Sequence, residues 1–149
     1  MLRNCSTNTL PGFPLDRLGV LDTCRALLGY MWACPGKKLL FMGQEFGQVQ
    51  EWNWDKSLDW ALLEDERHVQ IQSFVAALNQ LYRETPALYQ LDCRAPGFAW
   101  LDHEDAEHSI LAFVRQGFGD AEPVICIFNL GAEAVKKYKV GSPYEGPWG

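Results

Sequence analysis

From residue 15, apolar side chains recur at helical spacing: Leu18, Leu21, Leu28 and Met31, with Cys24 and Leu27 filling the same side. Such a stripe predicts an amphipathic helix. Asp16 stands where a cap belongs, and Pro35-Gly36 stops the helix. Residues 38–42 form a short apolar run bounded by glycine on both sides. The run does not alternate, so it predicts a strand covered on both faces, as in a parallel sheet. A loop carrying Trp52, Trp54 and Trp60 follows. Residues 65–82 then predict a second helix with the inner stripe Ile71, Phe74, Val75, Leu78, Leu81 and Tyr82, closed by Pro86. His68 falls on its solvated side. Helix, strand, loop, helix is the unit of an α/β architecture, and one such unit cannot complete a sheet.

After Ala95-Pro96-Gly97 the pattern changes. Residues 98–102, 109–115, 124–129 and 135–140 predict short strands separated by the turn material "DHEDAEH" and "QGFGDAEP". Antiparallel strands at that spacing predict part of a β-sandwich, with Trp100, Phe113 and Phe128 in its interior. Residues 1–14, with Pro11, Gly12 and Pro14, read as coil. The chain thus reads as two incomplete objects, α/β then all-β.

Composition narrows what the chain could bind. Its 149 residues are 48% hydrophobic and 21% charged, within the range of a soluble globular protein. Thirteen lysines and arginines against 19 acids give a net charge of -6. The only clustered cations are Lys37-Lys38 and Lys136-Lys137, which excludes nucleic-acid backbone as an expected partner but not a neutral sugar. The five cysteines are scattered, without the spacing of a zinc site or dithiol motif, and read as small buried thiols of a reducing compartment. No apolar run is long enough to span a bilayer, and the N-terminus lacks the apolar core of a signal peptide, so the expected location is cytoplasmic. The acidic turn Glu104, Asp105 and Glu107 lacks the ligand spacing of a calcium loop and reads as solvated surface. No cofactor or metal is expected, and nothing in the chain resembles a glycine-rich phosphate cradle or a nucleophile elbow.

Chemistry concentrates in the loop after residues 38–42. Aromatic faces and carboxylates beside a strand end fit a carbohydrate cleft, or a satellite core with a solvated rim. Gln44 and Glu45 directly follow the predicted strand and either border a cleft or tie the loop down internally. Of the tryptophans, Trp52 or Trp54 is the stacking candidate, whereas Trp60, inside "LDWALL", belongs to the core. Asp55 and Asp59 read as turn and cap residues.

The stretch "YMWACPGKKLLFMGQEFGQVQEWNWDKSLDWALL" resembles the eighth strand and following loop of the 1,4-α-glucan (glycogen) branching enzymes, members of the α-amylase superfamily, glycoside hydrolase family 13. "LNQLYRETPALYQLD", "GFAWLDHEDAEHSILAFVR" and "FNL" are similar to the last barrel helix and the start of the all-β C-terminal domain in those enzymes. The resemblance runs from about residue 15 to the end and leaves residues 1–14 unmatched. It implies a fold made of the last helix-strand-helix portion of a (β/α)8 barrel over residues 15–91, followed by part of an antiparallel β-sandwich domain over residues 92–149.

The activity it implies is glycosyl transfer in glycogen biosynthesis, moving an α-1,4-glucan segment onto a 6-hydroxyl to form an α-1,6 branch. Retention of configuration requires a nucleophilic carboxylate and an acid/base carboxyl flanking one bond. In the family these follow strands four and five, with a third aspartate after strand seven in a His-Asp-Glu context. The resemblance places the start of this chain after those strands. The histidines His68, His103 and His108 stand in no such context, so no catalytic residue is expected here. The implied partner is an α-glucan, with Gln44, Glu45, Trp52 and Trp54 as substrate-binding candidates. The alternatives are a non-catalytic glucan-binding or interaction module, or a truncated or frame-shifted gene product.

Overall fold

The computed structural model of the chain describes residues 17–145. Asp16, the side chain of Leu18 and the coil expected over residues 1–14 lie outside the described residues. The chain divides into two compact units. Of the described residues, one contains 17–32 and Lys37–Glu84, and the other contains Ala33–Gly36 and 85–145.

The first unit is built on α1 (Arg17–Ala33, all but its last residue) and α2 (Glu66–Glu84). The predicted stripes meet. Leu21, Cys24, Leu28 and Trp32 of α1 are buried with Ile71, Val75 and Leu78 of α2, and Met31, Leu40, Phe74 and Tyr82 pack around them. Each fully buried aliphatic side chain contributes roughly 1.5–3 kcal/mol. Leu27 and Leu81, expected in the stripes, are exposed instead, each a turn's edge away from the packed face. Before α2, Asp65 accepts the backbone N–H of Arg67 at 3.0 Å and pairs with its guanidinium. That bond to Arg67 is the main reason the Asp65 carboxyl is held well below the usual carboxylate range. At the other end Thr85 turns extended before Pro86, because a residue preceding proline avoids the helical region.

Residues 38–42 do not form the expected strand. A strand needs a neighbour for its backbone groups, and none of the described segments pairs with this run. Leu40 alone of its leucines packs on the helix core, leaving Leu39 and Phe41 exposed.

The second unit carries an antiparallel sheet of three strands: β1 (Phe98–Asp102), β2 (Ile110–Arg115) and β3 (Val124–Asn129), in the order β1-β2-β3. Phe98↔Arg115 and Trp100↔Phe113 set the first register, which slips by a residue before Asp102↔Ala112. Phe113↔Cys126 and Val114↔Ile125 set the second without interruption. The central strand is buried on both faces: Ala112, Phe113 and Val114 are fully covered. Phe113 is ringed by Phe98, Trp100 and Phe128 at 5.1, 5.6 and 5.9 Å between ring centroids. Trp100, expected in the interior, remains 43% exposed because it lies on an outer strand, with Phe98 and Phe113 edge-on to it and the His103 ring 5.6 Å away.

The fourth strand expected over residues 135–140 is not formed. Lys137 adopts φ 58, in the left-handed region, and this interrupts an extended run. The segment is held by a side chain instead: the Tyr138 hydroxyl donates to Asp102 Oδ2 at 2.7 Å.

Arg115 is the buried charge of this unit. Its Nε donates to the Gly97 carbonyl at 3.1 Å, Nη1 to that of Ala33 at 2.6 Å and Nη2 to that of Leu88 at 3.1 Å, while Nη2 also pairs with the Asp92 carboxylate. Both side chains of the pair are almost wholly covered. Burial of an ion pair is tolerable when the remaining donors are satisfied, and here three carbonyls do so.

Candidate functional site

The loop that follows residues 38–42 starts with a tight reversal. Gln44 N–H donates to the Phe41 carbonyl at 3.2 Å, with Met42 at φ 35 and Gly43 at φ 86 between them. Two successive positive φ values are the signature of a type I′ turn. A 3-10 turn, Gln44–Phe46, continues the reversal and ends at Gly47, φ 70. Gly43 also accepts from Phe46 and Gln48 N–H at 3.2 and 2.9 Å. A Cβ on Gly43 would lie 2.8 Å from that of Gln48, so conformation and space both demand glycine there.

Side chains complete the bracing. Gln44 Oε1 accepts the Phe41 N–H, and Gln48 Oε1 accepts that of Asp59, each at 3.0 Å. Phe46 is fully buried, its ring 5.3 Å from that of Trp60. His68, expected on the solvated side of α2, is only 6% exposed, and its Nδ1 lies 2.7 Å from the Phe46 carbonyl oxygen. Helical periodicity marks apolar positions, and a histidine drawn inward by a distant carbonyl gives no such signal.

The outer arm of the loop is open. Trp54 is 81% exposed, and Trp52 is exposed with its ring edge-on to Phe41 at 5.6 Å. Trp60, expected in the core, is 54% exposed: one face covers Phe46 while much of the indole faces outward. A depression lies beside Trp52, lined also by Gln48, Glu51, Asn53, Lys56 and Asp59. These amide, carboxylate and ammonium groups suit hydroxyl-rich ligands. Asn53 forms the turn expected of Asp55, its Oδ1 accepting the Asp55 N–H at 2.9 Å. Asp59 stands at the N-cap of a 3-10 turn, Trp60–Glu64, but its side chain makes no capping bond.

Among the candidates, Trp52 alone lines the depression; Gln44 and Glu45 sit half-buried in the inner turn, and Trp54 stands on the outer arm. Sequence reasoning missed Gln48, Asn53 and Lys56, since polar loop residues carry no periodic signal. For Gln48 the one available clue was its position directly after the Gly-x-x-x-Gly reversal of residues 43–47. Among the described residues, no three His, Cys, Asp or Glu side chains gather as a metal site, and no helix is long and apolar enough to cross a membrane.

Comparison with known proteins bears out the resemblance. Residues 100–149 match the family model described as the alpha amylase C-terminal all-beta domain. The chain is 47% identical over 133 residues to the 1,4-alpha-glucan branching enzyme GlgB of Cereibacter sphaeroides, covering 89% of this chain and 18% of that protein. It is 48% identical over 135 residues to GlgB of Nocardia farcinica and 46% identical over 135 residues to GlgB of Pseudomonas putida, each match covering 91% of this chain and 18% of the relative. The chain therefore spans less than a fifth of the length of these relatives. By these matches its sequence is similar over about nine-tenths of its length to part of the 1,4-alpha-glucan branching enzymes GlgB, and over residues 100–149 to the alpha amylase C-terminal all-beta domain.

Proposed function

We propose that this chain is the part of a 1,4-α-glucan branching enzyme that carries the last helix-strand-helix portion of a (β/α)8 barrel and the start of the C-terminal β domain. Its Trp loop is one wall of the α-glucan site. The parent reaction is transfer of an α-1,4-glucan segment to a 6-hydroxyl in glycogen biosynthesis in the cytoplasm. In this reading Trp52 and Trp54 offer stacking faces, Gln44 and Glu45 border the inner end of the wall, and the amides of Gln48 and Asn53 meet sugar hydroxyls. The observation that carries it is a largely bare indole at Trp54 together with a polar depression beside Trp52, on the stretch that resembles the branching enzymes. A large aromatic left bare on a braced loop offers a flat apolar face on which a sugar ring can stack.

The chain by itself is proposed to hold glucan without forming branches, since retaining transfer needs two carboxyl groups converging on one anomeric carbon. Affinity electrophoresis in glycogen tests the binding: the wild type is retarded, and Trp52→Ala and Trp54→Ala reduce the retardation. Free migration of the wild type would refute the reading, and α-1,6 branches made by the purified chain would refute its lack of catalysis.

A further inference from the structure

We propose that His68 is the positioning residue of the glucan-facing loop, fixing the register of residues 43–48 by donating its Nδ1–H to the Phe46 carbonyl; this rests on the reading of that loop given above. A carbonyl oxygen only accepts, so at 2.7 Å the proton of this bond belongs to the ring, on Nδ1. The ring is buried on α2, so α2 sets where the carbonyl stands. Gly47 lies against the same ring: a Cβ there would be 3.6 Å from His68 Nδ1 and 3.3 Å from Leu21 Cδ2. With Gly43 and Gly47 both at positive φ, the reversal has little side-chain bulk of its own to hold it. Phe46 is therefore fixed at two points, its ring under Trp60 and its carbonyl on His68. The depression hangs from the same segment, because Gln48 lines it and ties Asp59 across it. His68 touches no sugar in this arrangement. It acts through the backbone it holds.

The test compares the wild-type chain with His68→Leu and His68→Asn by affinity electrophoresis in glycogen, alongside helical melts by circular dichroism. Asparagine puts an N–H where Nδ1 stands, whereas leucine fills similar space without a donor. Loss of one such bond in His68→Leu is expected to weaken the apparent affinity about tenfold, while His68→Asn stays within about twofold of wild type. Nitrogen-detected NMR of the wild type is expected to show Nδ1 protonated at neutral pH. This readout does not depend on glycogen or on the leucine variant folding. Wild-type affinity in His68→Leu, leucine-like weakness in a folded His68→Asn, or a proton solely on Nε2 would each overturn the proposal. A wild type that glycogen does not retard, with Nδ1 protonated, removes the glucan reading and with it the purpose assigned to His68, while leaving the hydrogen bond standing.

Discussion

Met42 and Gly43 occupy adjacent positions of one turn and carry opposite liabilities. Methionine in the left-handed region places its Cβ against the following carbonyl, whereas asparagine tolerates that region and Asn-Gly is the favoured pair for a type I′ turn. Met42→Asn is therefore expected to stabilise the chain by about 0.5–1 kcal/mol. Gly43→Ala is expected to destabilise it by about 1–3 kcal/mol, since both φ and the Gln48 side chain oppose a Cβ. Thermal melts of the two variants should shift in opposite directions. Elsewhere, burial pushes the Cys126 thiol up to about 11. Alkylation near neutral pH should therefore be slow at Cys126 compared with the exposed Cys93, as peptide mapping after brief iodoacetamide treatment would show.

At the scale of elements, two contacts hold pieces that secondary structure alone leaves loose. Among the described residues Asp92 is the carboxylate paired with the buried Arg115 guanidinium, so Asp92→Ala leaves an uncompensated charge and should cost about 3 kcal/mol or more in chemical denaturation. The other contact ties the segment around Tyr138 to the end of β1. The Tyr138 hydroxyl is the chief cause holding the Asp102 carboxyl below its ordinary value of 3.8, and bonds from His108 hold Asp105 below it too. A carboxyl depressed on folding contributes stability that is complete above its unfolded pKa and is lost as pH falls through the folded one. The wild type should thus lose stability on acidification below 3.8, and Tyr138→Phe should show a shallower dependence over that range. The Tyr138 hydroxyl is itself pushed well above its usual range by Asp102, so its share of stability is present below the ordinary tyrosine pKa and lost only at extreme alkaline pH.

For the molecule as a whole, the exposed apolar side chains Leu39, Phe41, Met42, Trp54 and Trp60 lie close in sequence within the first unit, and such surface favours association. Sedimentation of the 149-residue chain is expected to show mass rising with concentration; a single monomeric species across the range would contradict this. Local sequence determined α1 and α2, because the helical period marks which face loses water, and it determined the three strands as short runs between turn segments. It also carried the family motif. Only the tertiary structure decided that residues 38–42 and 135–140 are not strands, since strand formation depends on a partner that no local pattern specifies. It likewise decided that His68 turns inward to a carbonyl 22 residues away and that Arg115 is satisfied by one 82 residues away. A polar group is buried only where its hydrogen-bond partner waits, and that partner is fixed by the folded chain rather than by neighbours in sequence.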